Sequence, residues 1–431
     1  MGVIPEMTTD INGVNGRRAL TTSSGDLFNG FFTHPRTYNA ANLIDARARR
    51  VFEMTARACE ADAYPYQLPL QGRSGPMVQA EGRELMMLSS YDYLGLIGDA
   101  RVDEAAIAAI RKYGTGTGGV RMLTGTIDLH REMEKDLADF KGTAEVISFS
   151  SGYLANLAVM AAILAPQDRV ILDTLSHRSL VDACRLAGVQ VQRFRHNDPE
   201  SLRKELETPT DANRTLIVAD GVFSMDGDIC CLPELVALKK EFNCFLMIDE
   251  AHATGVLGTS GRGTDEHFGI AATEVDIWTG SLAKGIPSNG GFAAVSQELA
   301  VFLQHAAAPF IFSAALCPSA VASVRACISI LRAEPERVAR LKANAEFLRG
   351  GLKDLGYDTG ASETPVIPVI LGDEAAAAMC ARRLRDFGIV VTPVMFPAVA
   401  MGAARLRLCV TAAHTTEQLT FALDAFRRLR Q

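Results

Sequence analysis

Residues 245–258 read FLMIDEAHATGVLG and residues 275–292 read VDIWTGSLAKGIPSNGGF; how these two stretches fold decides how the rest does. Each opens on an apolar run, Phe245 to Ile248 and Val275 to Trp278, too short for a helix. Runs of this kind mark strands buried on both faces. The first ends in Asp249, with His252 three residues on; the second leads through Thr279, Gly280 and Ser281 to Lys284. Two such strands deliver an acid, an imidazole and an amine to one edge of a sheet. An amine placed there can form a Schiff base with a carbonyl cofactor, and a carboxylate can keep a pyridine nitrogen protonated.

Outward from this pair the pattern alternates. Helical spacing over 130–140, 155–164, 179–187, 199–207 and 233–241 precedes apolar runs at 145–149, 169–172, 190–194, 215–219 and 244–248. The alternation predicts an α/β fold whose mostly parallel sheet is covered on both faces. Ligands of such sheets gather at the carboxyl ends of the strands. Residues 1–38 are rich in Gly, Asn, Thr and Ser and read as a loose arm, and 40–63 as an amphipathic helix stopped at Tyr64-Pro65. A β stretch is expected over 77–88 and a helix over 103–112, capped by Gly114. Helices over 318–331 and 335–355 lead into a smaller α+β portion. The expected division is an N-terminal arm and helix (1–95), a large domain (96–325) and a small C-terminal domain (326–431).

Composition narrows the function. The chain of 431 residues is 48% hydrophobic, ample for more than one core, and its net charge of −7 is spread without a basic block. Nucleic acid is therefore not expected as a partner. The longest apolar run, Leu154 to Ala165, falls short of the roughly 20 residues that span a bilayer, so no integral membrane segment is expected. The first residues show no signal peptide. Nine cysteines without a CxxC fit reduced thiols in a cytoplasmic protein.

Three motifs point elsewhere and fail on context. GTGTGG at 114–119 matches the dinucleotide fingerprint, but a helix precedes it where a strand is needed. Ser281-Leu-Ala-Lys284 matches the SxxK pair of serine hydrolases, but S-D-N and K-T-G are missing. His130, His177 and His252 lack HExxH or any similar spacing, so no metal is expected. Taken singly, each histidine is more often structural, and a lone Lys284 would more often be a solvated charge.

Taken together, the motifs from SSYDYLGL (89–96) to RLRLCVTAAH (405–414) arrive in the order and spacing of the α-oxoamine synthases, and the chain resembles that family over roughly 85–430. These are pyridoxal phosphate (PLP) enzymes of the aspartate-aminotransferase fold, type I. The resemblance implies a seven-stranded large-domain sheet, a smaller C-terminal domain and a homodimer with shared active sites. It matches Lys284 to the Schiff-base lysine, Asp249 to the acid on the pyridine nitrogen and His252 to the residue near the phenolic oxygen. His177, in DTLSHRSL, matches the histidine that stacks on the ring and faces the amino acid. Ser224 resembles the hydroxyl near the phenolic oxygen. Gly152 and Tyr153 resemble the phosphate turn at a helix start, to which Ser281 adds a hydroxyl. Ser313 resembles the residue lent by the neighbouring subunit. Arg407 matches the arginine that binds the substrate carboxylate, with Arg405 as the alternative.

The family joins an amino acid to an acyl thioester, carried by CoA or a carrier protein, with loss of carbon dioxide. RFRHN (193–197) and PFIFSAAL (309–316) are most similar to bacterial serine palmitoyltransferases, which points to sphingolipid biosynthesis. DGVFSMDGD (220–228) is equally similar to 8-amino-7-oxononanoate synthase, and TGSLAKGIPSNGGF to synthases of polyketide assembly lines. Serine, glycine and alanine stay open as the amino acid. Outside the family, a plain PLP aminotransferase and a silent partner subunit remain as readings. Two departures stand out: Ser281 where threonine is usual, and Arg178 where alanine usually follows the stacking histidine.

Overall fold

The computed structural model describes residues 46–60 and 64–430. The reading of 1–38 as an arm lies outside them, and of the helix read over 40–63 the described part is Ala46–Glu60.

A seven-stranded sheet forms the centre, from β3 (Glu145–Phe149), β4 (Arg169–Asp173), β5 (Gln190–Phe194), β6 (Thr215–Asp220), β7 (Phe245–Asp249), β8 (Ile277–Ala283) and β9 (Pro287–Val295). Its order is β3-β9-β8-β7-β6-β4-β5, and β9 alone runs antiparallel to its neighbours. Side chains alternate across a strand, and here both sides are dry. Leu246 and Ile248 of β7 join one core cluster, with Trp278, Val321 and Ile328. Met247, between them, joins the other, with Val218, Ala158 and Leu180. This is why the strands read as unbroken apolar runs rather than as alternation.

The stretch after Lys284 is a tight hairpin, Lys284 N–H donating to the Ile286 carbonyl at 3.0 Å, and SNGGF continues as β9. Glycine makes this possible. A Cβ on Gly285 would lie 2.3 Å from the Thr254 carbonyl, so the hairpin tip packs directly on the turn after His252. Ser281 thus sits inside a strand, unlike the helix-opening serine of an SxxK hydrolase.

The C-terminal part packs β10 (Val366–Gly372), β12 (Thr392–Val394) and β13 (Ala404–Cys409) into an antiparallel sheet under helices Glu336–Asp354, Glu374–Asp386 and Thr416–Leu429. A third sheet joins β1 (Met77–Ala80) and β2 (Arg83–Met87) to β11 (Ile389–Val390), parallel to β2. The sequence reading grouped β1 and β2 with the N-terminal arm, yet they pack with the last quarter of the chain. A lone hairpin is marginal in water, and this one buries Met86 beside Leu348, Leu406 and Phe426. Among the described residues no helix is long and apolar enough to cross a membrane.

A buried ion cluster fixes the ends of β7 and β8. Lys141 Nζ lies 2.6 Å from Asp265, 3.2 Å from Glu250 and 3.7 Å from the Trp278 ring centroid. Glu250 also accepts the Thr264 N–H, and its own N–H donates to the Thr279 carbonyl at 2.7 Å. Removing one member strands buried charge. Lys141→Ala is expected to cost about 3–5 kcal/mol, read as a lowered urea midpoint with an unchanged slope.

Candidate active site

The carboxyl ends of β6 and β7 bring Asp220 and Asp249 side by side with Thr279 of β8, Asp249 in register with both others. Asn156, on helix Gly152–Ile163, holds this row. Its amide donates to Asp249 Oδ2 at 2.7 Å and to Ser179 Oγ at 2.8 Å, and its oxygen accepts the Thr279 hydroxyl at 2.6 Å. Asp249 Oδ1 accepts the Ala251 N–H at 2.9 Å. The carboxylate is therefore fixed from two sides. Burial, reinforced by the nearby Asp249, raises the Asp220 carboxyl well above its usual range.

Lys284, at the hairpin tip, is half-buried and its amine has no hydrogen-bond or ion-pair partner among the described residues; Nζ lies 5.8 Å from the Tyr91 ring centroid. Burial lowers its amine to about 8, against the pull of Asp249 and Asp220 and helped by Arg407. His252 is buried, its Nδ1 2.8 Å from the Tyr93 hydroxyl, with Tyr91 edge-on at 5.8 Å. Burial, then Lys284 and Arg407, depress its pKa well below normal, so the ring is neutral. His177 caps helix Arg178–Ala187: its N–H donates to Asp220 at 3.2 Å and its Nδ1 meets the Ser179 hydroxyl at 2.7 Å. Burial lowers its pKa as well.

At one side, helix Gly152–Ile163 begins against β8. A Cβ on Gly152 would lie 3.1 Å from the Gly280 carbonyl and 3.2 Å from Ser281 Cβ. Ser151 caps the helix, accepting the Leu154 N–H at 3.1 Å. The Tyr153 side chain turns outward, donating to Asp182 at 2.6 Å with its ring 6.5 Å edge-on from His177. On the other side, Arg407 hydrogen-bonds Tyr91 and the Ser224 carbonyl, and its guanidinium lies 4.9 Å from the Tyr91 ring centroid. It has no carboxylate partner among the described residues. Arg405 does: its ion pair with Asp226 is 2.6 Å long, so this guanidinium is already committed. Ser313 stands apart, lining a small recess with Arg121 and Ser148.

The structure thus brings together Lys284, Asp249, His252, His177, Ser224 and Arg407, with Gly152 and Ser281 at the helix start. Asn156, Asp220, Tyr91 and Tyr93 were missed. Asp220 carried a legible signal, an acid closing the apolar run TLIVA as Asp249 closes FLMI. These residues suit PLP: an unpartnered amine for the aldehyde, a fixed carboxylate for the ring nitrogen, and a crowded glycine at a helix start for the phosphate.

Comparison with known proteins agrees. The family model for class I and II aminotransferases matches residues 83–426. An 8-amino-7-oxononanoate synthase of Thermoanaerobacter pseudethanolicus is 42% identical over 86% of this chain and 94% of its own. The solved serine palmitoyltransferase of Sphingomonas wittichii superposes with a TM-score of 0.86 at 34% identity, covering 90% of this chain and 98% of its own. A structure of SPT with its PLP internal aldimine matches with the same figures, 0.86, 34%, 90% and 98%. This chain belongs to the α-oxoamine synthases, PLP-dependent acyltransferases of fold type I.

Proposed function

We propose that the protein condenses a small amino acid with an acyl thioester and releases carbon dioxide, the free thiol and an α-aminoketone. The observation that carries the reading is the Lys284 amine, unpaired and lowered to about 8, beside an Asp249 carboxylate held elsewhere. Bound PLP supplies an electron sink for the carbanion at the amino acid's α-carbon. Asp249 keeps the pyridine nitrogen protonated so that the sink is deep. Lys284 would hold the cofactor's aldehyde carbon, and its Nζ is the base that would take the α-proton. His177, neutral, packs on the ring, and Arg407 grips the substrate carboxylate. His252 and Ser224 serve the phenolic oxygen. Gly152, the Tyr153 backbone and Ser281 hold the phosphate. The α-carbon would then bond to the acyl carbon, the thiolate would leave, carbon dioxide would follow, and Lys284 would return its proton to the α-carbon. Ser313 is the residue a second copy would lend to a shared site in a homodimer. We keep the division into a large domain over 96–325 and a small one over 326–431, with β1 and β2 added to the latter. All nine cysteines are free thiols, which suits the cytoplasm.

Sequence and shape favour different substrates. Identity of 42% links the chain to an 8-amino-7-oxononanoate synthase. That product's name places an amino group next to a ketone with a methyl beyond it, as alanine would leave. The TM-score of 0.86 links it to serine palmitoyltransferase, which would take serine. We put alanine first and treat the sphingolipid role as the second reading. Titration of the holoprotein with alanine, serine and glycine, followed by its visible absorbance, separates them. Thiol release on adding an acyl thioester separates condensation from plain amino transfer, which frees none.

The free amine captures an aldehyde and the ammonium does not, so uptake of PLP by apoprotein should slow about tenfold per unit below pH 8 and level off above it. Stopped-flow absorbance reads this, and Lys284→Ala should show no such covalent band. A midpoint above 10 would reject the lowered amine. Arg407→Ala should raise the half-saturating amino acid about 10- to 100-fold while PLP affinity stays within a few-fold. An equal loss of both would remove Arg407 from carboxylate binding.

A further inference from the structure

The motif RFRHN contributes nothing to the site as described, yet its histidine lies at the junction of the loops that build it. His196, just beyond β5, is bonded on both ring nitrogens to buried carboxylates. Nδ1 lies 3.1 Å from Asp173 Oδ1, and Nε2 lies 2.7 Å from Asp228 Oδ2. The ring also stands edge-on to Phe223 at 4.3 Å between centroids. Burial opposes a charge here, but the two carboxylates outweigh it and push the imidazole up to about 10. It is a cation at neutral pH.

Each carboxylate leads to a different wall of the pocket. Asp173 closes β4 and shapes the loop that follows: its Oδ1 accepts the Leu175 N–H at 2.8 Å and its carbonyl accepts the Ser176 N–H at 3.1 Å. That loop ends in His177. Asp228 closes the turn 223–228, where the Phe223 N–H donates to the Asp228 carbonyl at 3.0 Å. The same turn supplies the Ser224 carbonyl and the Met225 sulfur that receive Arg407. Asn197 repeats the bridge, its N–H on Asp173 at 3.0 Å and its amide on Asp228 at 2.7 Å.

We propose that His196 is a positioning residue: bonded through both ring nitrogens to Asp173 and Asp228, it fixes the loop bearing His177 relative to the turn that receives Arg407. The consequence for substrate rests on the reading of Arg407 and His177 as the amino acid's contacts; the clamp itself does not. The groups that His196 bonds are Asp173 and Asp228, not the residues assigned to PLP or substrate, so its loss acts through two residues at once.

The test uses holoprotein with His196→Gln, which keeps size and polarity and removes the charge. Hydrogen exchange read by mass spectrometry should rise together in the peptides covering 174–178 and 223–229, with helix Ala100–Tyr113 unchanged. The half-saturating amino acid should rise about tenfold, since small misplacement of a binding group is costly, while the cofactor absorbance stays put. Should His196→Gln not fold, Asp228→Asn, which leaves His196 in place, should loosen the same two peptides. Faster exchange in only one of them, or in neither, overturns the clamp. Faster exchange in both with no change in amino-acid titration upholds the clamp and removes Arg407 and His177 from substrate binding.

Discussion

An amine and a carboxylate a short way apart in a half-dry cleft will pair unless something prevents it, and the site depends on that prevention. Asp249 is tied by the Asn156 amide and the Ala251 N–H. Lys284 is carried on a hairpin whose next residue, Gly285, is pressed against the Thr254 carbonyl. Both backbones are fixed before the side chains can meet. With no ion pair to offset it, burial lowers Lys284 instead of raising it. A nucleophile is thus available near neutral pH, and the carboxylate keeps capacity for a ring nitrogen.

The surrounding charges follow from the same constraint. Asp220 shares the strand edge with Asp249, and two ionised carboxylates in register would repel; burial and that repulsion raise the Asp220 carboxyl. His177 and His252 are held neutral, so neither competes with Lys284 for Asp249. Arg407 remains charged with a hydroxyl, a carbonyl and a sulfur for partners rather than an acid. It is left open to a carboxylate arriving from solution. Arg405, two residues away on the same strand, is closed by Asp226.

How much of this could be read from the chain depends on how local each feature is. The parallel sheet was legible because each strand is a continuous apolar run, and Asp249 and Lys284 because they stand where such runs stop. Asn156 was not, since it sits in GYLANLAVMAAI, where one polar residue among small apolar ones suggests nothing about reaching three partners. Tyr91 and Tyr93 were quoted in a motif, but their contacts with Arg407 and His252 join residues more than 150 positions apart. The same distance hid the pairing of β2 with β11. Arg407 was placed ahead of Arg405 on the family resemblance alone, because alternate residues of a strand share a face; Asp226, brought in from another loop, supplies the physical reason.

That separation exposes a second demand on the fold. Arg407 belongs to the C-terminal sheet and Lys284 to the central one, so the span between them is only as constant as the junction between the two sheets. The turn 223–228 is where they meet. The Gly227 carbonyl accepts the N–H groups of Glu363 and Thr364 at 3.0 and 3.2 Å, and a Cβ on Gly227 would fall 1.9 Å from the Val366 carbonyl. Backbone lies directly on backbone, with no side chain between to flex. Because the same turn presents Ser224 to Arg407 and Asp228 to His196, this backbone contact between the sheets is also the place where the pocket's two walls are set against each other.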